Sequence, residues 1–190
     1  MNLTKEKIEQ FWNFMLKEFD GEVVDKNTSN FMSTIGWALD TIGVVDQEVF
    51  IKRFVTVIPP KIYIPFELGV ANDVWDLEDQ ITVCVHECQH LYQANKDGII
   101  PFSVQYLTNK QSLAAYEAQA YVCNLELSWF LHKRLPDIKR LSEYLYSYNG
   151  TSKEVSFMRL YLEACADPIQ QGALITQSSK VAIPWLKENV

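Results

Sequence analysis

Apolar residues recur at helical spacing near the start of the chain. Thr4 can cap the start of this helix and Gly21 follows its end, so the pattern predicts an amphipathic helix that docks on the core. Its apolar positions are Ile8, Phe11, Trp12, Met15, Leu16 and Phe19. A second, weaker helical pattern ends near Gly43 and carries Phe31, Ile35, Leu39 and Ile42.

The pattern changes after this second helix, where β-branched and aromatic residues become frequent. The segment Val49–Ile58 predicts β-strand, Pro59 and Pro60 interrupt it, and Lys61–Ile64 predicts another strand that Pro65 ends. Because proline cannot donate a hydrogen bond into the middle of a sheet, the prolines on both sides of Lys61–Ile64 indicate an edge strand. We therefore predict a small sheet of two or three strands.

Helical patterns return after an acidic loop. Asp76 can cap a helix that runs to about Lys96 and ends at Gly98. Pro168 and Pro184 predict short helical turns over roughly the last 25 residues. Three further helices are predicted over about Gln111 to Lys133, from Pro136, and from the capping-box pattern of Thr151 to Glu154.

Taken together, these patterns predict an α+β fold that is mostly helical, with a small sheet in the N-terminal half. A chain of 190 residues is long enough for one domain with a full core and too short for two of ordinary size. We therefore predict a single domain, 1–190. Its predicted parts are N-terminal helices (1–45), a small sheet (46–70), two long helices (76–133) and C-terminal helices (136–190).

Composition narrows the classes of function. Hydrophobic residues make up 48% and charged residues 22% of the chain, which is an ordinary globular balance and excludes a disordered tail or a coiled-coil rod. The net charge of -7 would repel phosphate backbones, so we expect no nucleic-acid partner. No run approaches the roughly 18 apolar residues of a membrane span, so we expect no membrane partner either.

The compartment follows from the same patterns. The N-terminal segment MNLTKEKIEQFW scatters charges among its apolar residues and lacks the pattern of a secretory signal, so we expect a cytoplasmic protein. The four cysteines form no CxxC pair and are too few for a disulfide scaffold. Cys84 and Cys88 are expected to be buried and reduced.

The most informative segment is the pattern His-Glu-x-x-His within a predicted helix. A spacing of four residues brings His86 and His90 onto one helical face, where both imidazoles can reach one Zn²⁺ at about 2.0–2.1 Å. Glu87 is rotated by roughly 100° around the helix, so it is a poor ligand but a suitable general base for water activated by zinc. The competing interpretation is a helix whose two histidines bind no metal.

A catalytic zinc site usually has a third protein ligand. The extended pattern HExxHxxGxxH is excluded because Gln93 and Lys96 stand where it needs glycine and histidine. The best candidate is Glu117, since a lone carboxylate among alanines and tyrosines is costly to bury without a partner such as a metal. Glu126 is the runner-up, and His132 is expected to be a solvated residue at a helix end. The alternative for Glu117 is a solvated helix exterior.

The sequence HECQH followed by YEAQAY resembles the gluzincin arrangement of zincin metallopeptidases. It is more closely similar to small, poorly characterised bacterial and phage zincin-like proteins with the pattern HExxHxxQ and then YExxAY. The resemblance covers about Asp76 to Asn124, a quarter of the chain. It implies a Zn²⁺ cofactor, His86, His90 and Glu117 as metal ligands, and Glu87 as general base.

The resemblance leaves two further roles open. Amide hydrolysis builds negative charge on the carbonyl oxygen, and the candidate donors to it are Tyr116, Tyr121 and Tyr106, unless these are packing residues. Zincin peptidases hold a peptide along an edge strand, a role for which Lys61–Ile64 is suitably placed, although it could equally be plain structure. Gln93 could support a ligand or could be solvated.

Three hypotheses remain from the sequence. The first is a zinc-dependent hydrolase, most simply a peptidase acting on a peptide or protein. The second is a non-catalytic zincin-like domain that binds a partner or keeps a structural or vestigial zinc site. The third is a helical interaction protein in which the histidine pattern is accidental.

Overall fold

The computed structural model describes residues 2–41 and 47–190. Within these ranges the chain forms nine α-helices, two short 3-10 helices and three strands, which is the mostly helical α+β fold that the patterns predicted. The helices are α1 (Lys5–Glu18), α2 (Asn30–Thr41), α3 (Gln47–Arg53), α4 (Leu77–Asp97), α5 (Ile99–Thr108), α6 (Lys110–His132), α7 (Ile138–Glu143), α8 (Ser152–Gln170) and α9 (Gln177–Asn189). The strands are β1 (Glu22–Asp25), β2 (Thr56–Ile58) and β3 (Lys61–Ile64), and the 3-10 helices span Lys26–Thr28 and Tyr144–Tyr148.

The first helix forms as its pattern predicted. The Thr4 side chain accepts a hydrogen bond from the amide of Lys7, and the apolar face of α1 is buried in the main core. Trp12 is fully buried there, and its indole N–H donates to the carbonyl of Gln80 at 3.0 Å. The second predicted helix is α2, although the predicted end at Ile42 and Gly43 lies outside the described residues.

The small sheet has the strand order β1-β3-β2, with β1 parallel and β2 antiparallel to β3. Ile62 therefore has Val23 on one side and Val57 on the other. The prediction that Lys61–Ile64 forms an edge strand is wrong, because this strand lies in the middle of the sheet. Its flanking prolines lie just outside the strand, and Pro60 takes part in the pairing only through its carbonyl, which accepts from the Glu22 amide at 2.9 Å, so no donor is lost from the ladder.

Part of the predicted strand segment is helical. Residues 49–53 belong to α3, and only Thr56–Ile58 of the predicted segment forms a strand. Tertiary contacts explain the difference. Phe50 is buried, and the amine of Lys26 donates to the carbonyls of Phe50 and Phe54, both at 2.9 Å, at the C-terminal end of α3. Helix ends leave such carbonyls without helical partners, so the buried lysine stabilises a helix where β propensity favours a strand.

The two long helices form as predicted and α4 is the centre of the fold. Asp76 and Asp79 form a capping box at the start of α4, and Gly98, with φ of 89°, ends it. The α5 helix, which the patterns did not predict, starts immediately afterwards. Its Pro101 lies in the first turn, where the missing N–H has no helical partner to lose. Helix α4 packs against α1, α5, α6 and α9, and α6 lies between α4 and α8.

The last part of the chain is more regular than its prolines suggested. Helix α8 continues through Pro168 to its last turn, and α9 is continuous across Pro184. The prediction of short helical turns is therefore wrong. Ala182, Ile183 and Leu186 of α9 are buried in the main core, and this packing offsets the hydrogen bond that proline removes.

Across the described residues, every helix is either too short or too polar to cross a membrane.

Candidate metal centre

Helices α4 and α6 bring three ligand-type side chains together. His86 and His90 lie one turn apart on α4, and Glu117 on α6 faces them. One ligand atom from each of the three residues lies within 4.8 Å of the other two. The three side chains are buried, with at most 8% of any residue exposed. We call these three residues the His-His-Glu cluster.

The separations within the cluster match a metal site. His86 Nε2 lies 3.7 Å from Glu117 Oε2, and His90 Nε2 lies 3.4 Å from Glu117 Oε1. Two ligand atoms on a tetrahedral zinc ion are about 3.4 Å apart at the usual zinc bond lengths. A single ion between the three side chains would therefore need only small rearrangements of them.

One carboxylate oxygen of Glu117 is buried without a hydrogen-bond partner among the described residues. Its side chain is 1% exposed, and its Oε2 atom is buried without any hydrogen-bond donor among the described residues. Burial alone would raise the pKa of this carboxyl, but His90 and His86 outweigh that effect and hold the pKa well below its usual range. A buried carboxylate with an unsatisfied oxygen is costly unless a cation joins it. The residues present thus fit a bound metal ion.

Hydrogen bonds orient both imidazoles toward the cluster. The amide nitrogen of Gln93 donates to the carbonyl of Tyr116 at 3.0 Å, so its oxygen faces His90 and accepts from Nδ1 at 2.8 Å. His86 Nδ1 likewise donates to Asn124 Oδ1 at 3.1 Å. With Nδ1 of each ring engaged in this way, Nε2 is the nitrogen that faces the other cluster residues, and a metal ligand needs this arrangement with Nε2 unprotonated.

Aromatic side chains close the cluster on two sides. Tyr106 of α5 donates its hydroxyl hydrogen bond to Glu117 Oε1, and its ring lies edge-on to His90 with 5.7 Å between ring centroids. The ring of Tyr121 lies edge-on to His86 at 4.7 Å. With Oε1 held by Tyr106, the unpartnered Oε2 is the oxygen left for a cation.

Glu87 lies beside the cluster and opens onto a cavity. Burial raises the pKa of its carboxyl, and the nearby charge of Glu117 raises it further. These effects outweigh the lowering effect of His86 and His90. A carboxylate whose pKa moves toward neutral is better matched to accept a proton at physiological pH than an exposed glutamate. The position agrees with the predicted rotation of Glu87 away from the metal-facing side of the helix.

The cavity above the cluster has a volume of about 520 Å³. This volume is within the range of small-molecule and peptide binding sites, which is about 300–1,000 Å³. Its floor is polar and its walls are mostly apolar. The lining residues are Phe31, Ile35, Phe50, Phe54, Val55, Thr56, Val57, Ile58, Pro59, His86, Glu87, His90, Phe102, Ser103, Tyr106, Leu107, Glu117 and Tyr148.

The three candidate tyrosines have different surroundings. Tyr106 lines the cavity, and Tyr121 packs on His86 without lining it. Tyr116 does not line the cavity, because its hydroxyl donates to Asp97 at 2.8 Å on the exposed side of α6. Burial and this hydrogen bond raise the pKa of Tyr116 to about 12. Tyr116 contributes to the site through its backbone carbonyl, which holds Gln93.

The other predicted candidates have structural partners. Glu126 is as buried as Glu117, but its carboxylate accepts hydrogen bonds from the amides of Ile175 and Thr176 and from the Thr176 hydroxyl. Glu126, the second candidate for the third ligand, therefore anchors the loop before α9. His132 is a half-exposed residue at the end of α6, and its Nε2 lies 3.0 Å from Glu78.

The cysteines of the metal helix are buried and free, as expected. Cys84 and Cys88 have no exposed surface and form no disulfide. Burial raises the pKa of the Cys84 thiol, with a further upward contribution from Cys88. Neither residue belongs to the His-His-Glu cluster.

Three further residues of the site were not predicted from the sequence. Asn124 lies seven residues after Glu117 on α6 and therefore on the same helical face, and this spacing could have identified it. Tyr148 lies in a 3-10 helix, 27 residues beyond the last residue of the YEAQAY motif. Lys26 is fully buried, and burial lowers its pKa to about 7 against a smaller raising effect of Glu87.

The geometry thus provides two imidazole nitrogens and a carboxylate that could hold one metal ion, a nearby carboxylate that could accept a proton, and a cavity for a ligand. Comparisons with known proteins add no family to this description. No protein-family model, no curated protein and no solved structure matches the chain.

Proposed function

We propose that the His-His-Glu cluster holds Zn²⁺ and that the protein is a zinc-dependent hydrolase acting on a peptide or protein. The observation that carries the proposal is the convergence of His86, His90 and Glu117, with an unpartnered Glu117 oxygen, beneath a cavity. Two imidazoles and one carboxylate are a ligand set that catalytic zinc sites use. The resemblance of HECQH and YEAQAY to zincin metallopeptidases supports the same function.

Each residue around the His-His-Glu cluster has a defined role in this proposal. His86, His90 and Glu117 bind the ion, while Asn124 and Gln93 keep the two imidazoles in the binding tautomer. A bound Zn²⁺ supplies a Lewis acid that lowers the pKa of water to about 7 and polarises a substrate carbonyl. Glu87, at the cavity floor, accepts the proton of the attacking water and returns it to the leaving amine.

Charge that develops on the substrate carbonyl oxygen needs a hydrogen-bond donor. The Tyr106 hydroxyl already donates to Glu117, which makes Tyr106 a positioning residue for the ligand. Tyr148 lines the cavity from the 3-10 helix after α7, and burial raises the pKa of its phenol well above the usual range. A phenol that keeps its proton can donate, so Tyr148 is the better-placed candidate for this role.

The strand that could hold a substrate backbone is β2. It pairs with β3 on one side only within the described residues, and Val55–Pro59 line the cavity. A peptide could therefore add to its free edge by main-chain hydrogen bonds. This assignment replaces Lys61–Ile64, which is enclosed by β1 and β2.

The test of the proposal is a comparison of wild-type protein with Glu87→Gln. We expect both to bind about one zinc per chain, because Glu87 is not a ligand. Hydrolysis of a peptide mixture, followed by mass spectrometry, should fall by at least about a hundredfold in the variant, as expected for loss of a general base.

Two results would contradict the proposal in different ways. Zinc binding without hydrolysis by the wild-type protein would favour the non-catalytic zincin-like domain. Full activity of Glu87→Gln on a substrate that the wild-type protein cleaves would show that Glu87 is not the general base.

A further inference from the structure

The walls of the cavity are uncharged and mostly apolar, a property that the His-His-Glu cluster does not explain. Apart from His86, Glu87, His90 and Glu117, the described residues that line the cavity carry no charge. The buried amine of Lys26 lies nearby but does not line the cavity. It is fully used by the carbonyls of Phe50 and Phe54 and by the Thr56 hydroxyl.

This charge distribution bears on how a peptide could be held. An enzyme that removes residues from a carboxyl terminus needs a cationic group for the terminal carboxylate, and the lining offers none. An enzyme that removes residues from an amino terminus needs a free acidic group for the terminal ammonium. The lining has two carboxylates, but in the proposed function Glu117 is a metal ligand and Glu87 accepts a proton, so neither is free to bind an ammonium group. An unpaired charge placed among the apolar walls would be costly.

The mouth of the cavity is apolar as well. Phe31 of α2, Ile58 of β2 and Leu107 of α5 line it and are exposed to solvent, Leu107 to 81%. Three separate elements thus present apolar side chains around one opening. Exposed apolar side chains gathered at a cavity mouth are typical of a binding site and have no packing role of their own.

We propose that the cavity binds an internal segment of a polypeptide and recognises neither chain terminus. An apolar side chain of this segment lies beside the His-His-Glu cluster. This inference rests on the proposed function in assuming that the ligand is a peptide, and it names the class of peptide. The free edge of β2 holds the backbone of the segment, and the apolar walls hold its side chains.

Binding to purified Glu87→Gln protein tests the inference without turnover. The probes are a fluorescently labelled peptide with leucine and phenylalanine and blocked termini, the same peptide with either terminus free, and versions with glutamate or lysine in place of the apolar residues. The blocked apolar peptide should bind at least about tenfold more tightly than the charged versions. Freeing a terminus should change its affinity by less than about twofold.

A matched pair of variants places the effect at the cavity mouth. Leu107→Lys, in the Glu87→Gln background, should shift the ratio of apolar to acidic peptide affinity by about twofold to fivefold toward the acidic peptide, as expected for one exposed charge pair. Leu160→Lys is the control, because Leu160 is also a helical leucine, 66% exposed, and does not line the cavity. It should leave the ratio unchanged.

Three results would overturn the inference: equal binding of apolar and charged peptides, tenfold tighter binding of a peptide with a free terminus, or no binding of the blocked apolar peptide. Failure of the proposed function is separate. If the binding order is as expected but zinc-loaded wild-type protein cleaves none of the peptides, the ligand class stands and the hydrolase is wrong. If peptides are cleaved at their ends or beside charged residues, the hydrolase stands and this inference falls.

Discussion

A single carboxylate, Glu117, meets two imidazoles at the buried floor of a cavity, and its second oxygen has no protein donor among the described residues. Glu126, nine residues further along the same helix, is equally buried but accepts hydrogen bonds from the loop before α9. Of these two glutamates of one helix, Glu117 belongs to a group that could hold a metal ion, and Glu126 anchors a loop. Only their spatial neighbours distinguish the two.

The protonation of His90 predicts a pH dependence of zinc binding. Burial disfavours the charged imidazole, but the Glu117 carboxylate, with smaller contributions from Glu87 and Gln93, raises the pKa of His90 to about 9. Below that pH zinc must displace a proton from His90. Apparent zinc affinity, measured by competition with a chelator of known pH dependence, should rise about tenfold per pH unit from pH 7 to 9 and then level off.

The same raised pKa gives the sign of a stability effect in metal-free protein. The charged form of His90 stabilises the fold fully below its unfolded pKa of about 6.5, and this contribution is lost as the pH rises through about 9. Zinc affinity that does not change between pH 7 and 9 would contradict the proposed coupling of His90 to Glu117.

At the scale of elements, the helices with complete signals were predictable. The α4 helix has a capping aspartate, an apolar face and a terminal glycine, and all three act locally. The sheet was predictable only in part, because Lys61–Ile64 forms a strand as predicted but β1 and the helix over residues 49–53 were not predicted. β1 has only four residues, and α3 is held by the buried amine of Lys26, a contact across 24 residues or more that no local pattern encodes. At α3, tertiary contact outweighed local propensity.

The loop anchor at Glu126 is an element-scale prediction. Replacing Glu126 by glutamine removes charged hydrogen bonds to Ile175 and Thr176, so we expect the protein to lose about 2 kcal/mol of unfolding free energy. Denaturant unfolding measures this loss.

Zinc content separates this structural role from that of a ligand. Glu126→Gln should still bind about one zinc per chain under native conditions, because its carboxylate lies outside the His-His-Glu cluster. Loss of zinc together with unchanged stability would be the opposite of what the contacts predict.

At the scale of the whole molecule, the residues of the His-His-Glu cluster could be predicted from the sequence because two short motifs carry them. The cavity could not be, since its lining comes from α2, α3, β2, α4, α5, α6 and the 3-10 helix that contains Tyr148. Tyr106 was a candidate donor, but its role as the hydrogen-bond partner of Glu117 depends on α5, a helix without a clear start signal. Residues far apart in the chain meet only through packing.

Zinc bound by the His-His-Glu cluster would join α4 and α6 at the centre of the fold, so under the proposed function it should stabilise the entire chain. Zinc at about a hundred times its dissociation constant adds about 2.7 kcal/mol, which for a protein of this size raises Tm by roughly 5–10 °C. Thermal unfolding followed by circular dichroism measures the shift. Glu117→Ala protein should show no such increase, and a zinc-dependent rise of the same size in that variant would place the ion elsewhere.

The most direct measurement of the central claim is a zinc-loaded crystal structure with anomalous scattering at the zinc edge. We predict one zinc peak per chain, bound by His86 Nε2 and His90 Nε2 at about 2.0–2.1 Å and by the Glu117 carboxylate at about 2.0–2.2 Å. His132→Ala protein, which lacks the histidine outside the cluster, should give the same peak. A chain without the peak, or with zinc at another position, would contradict the account.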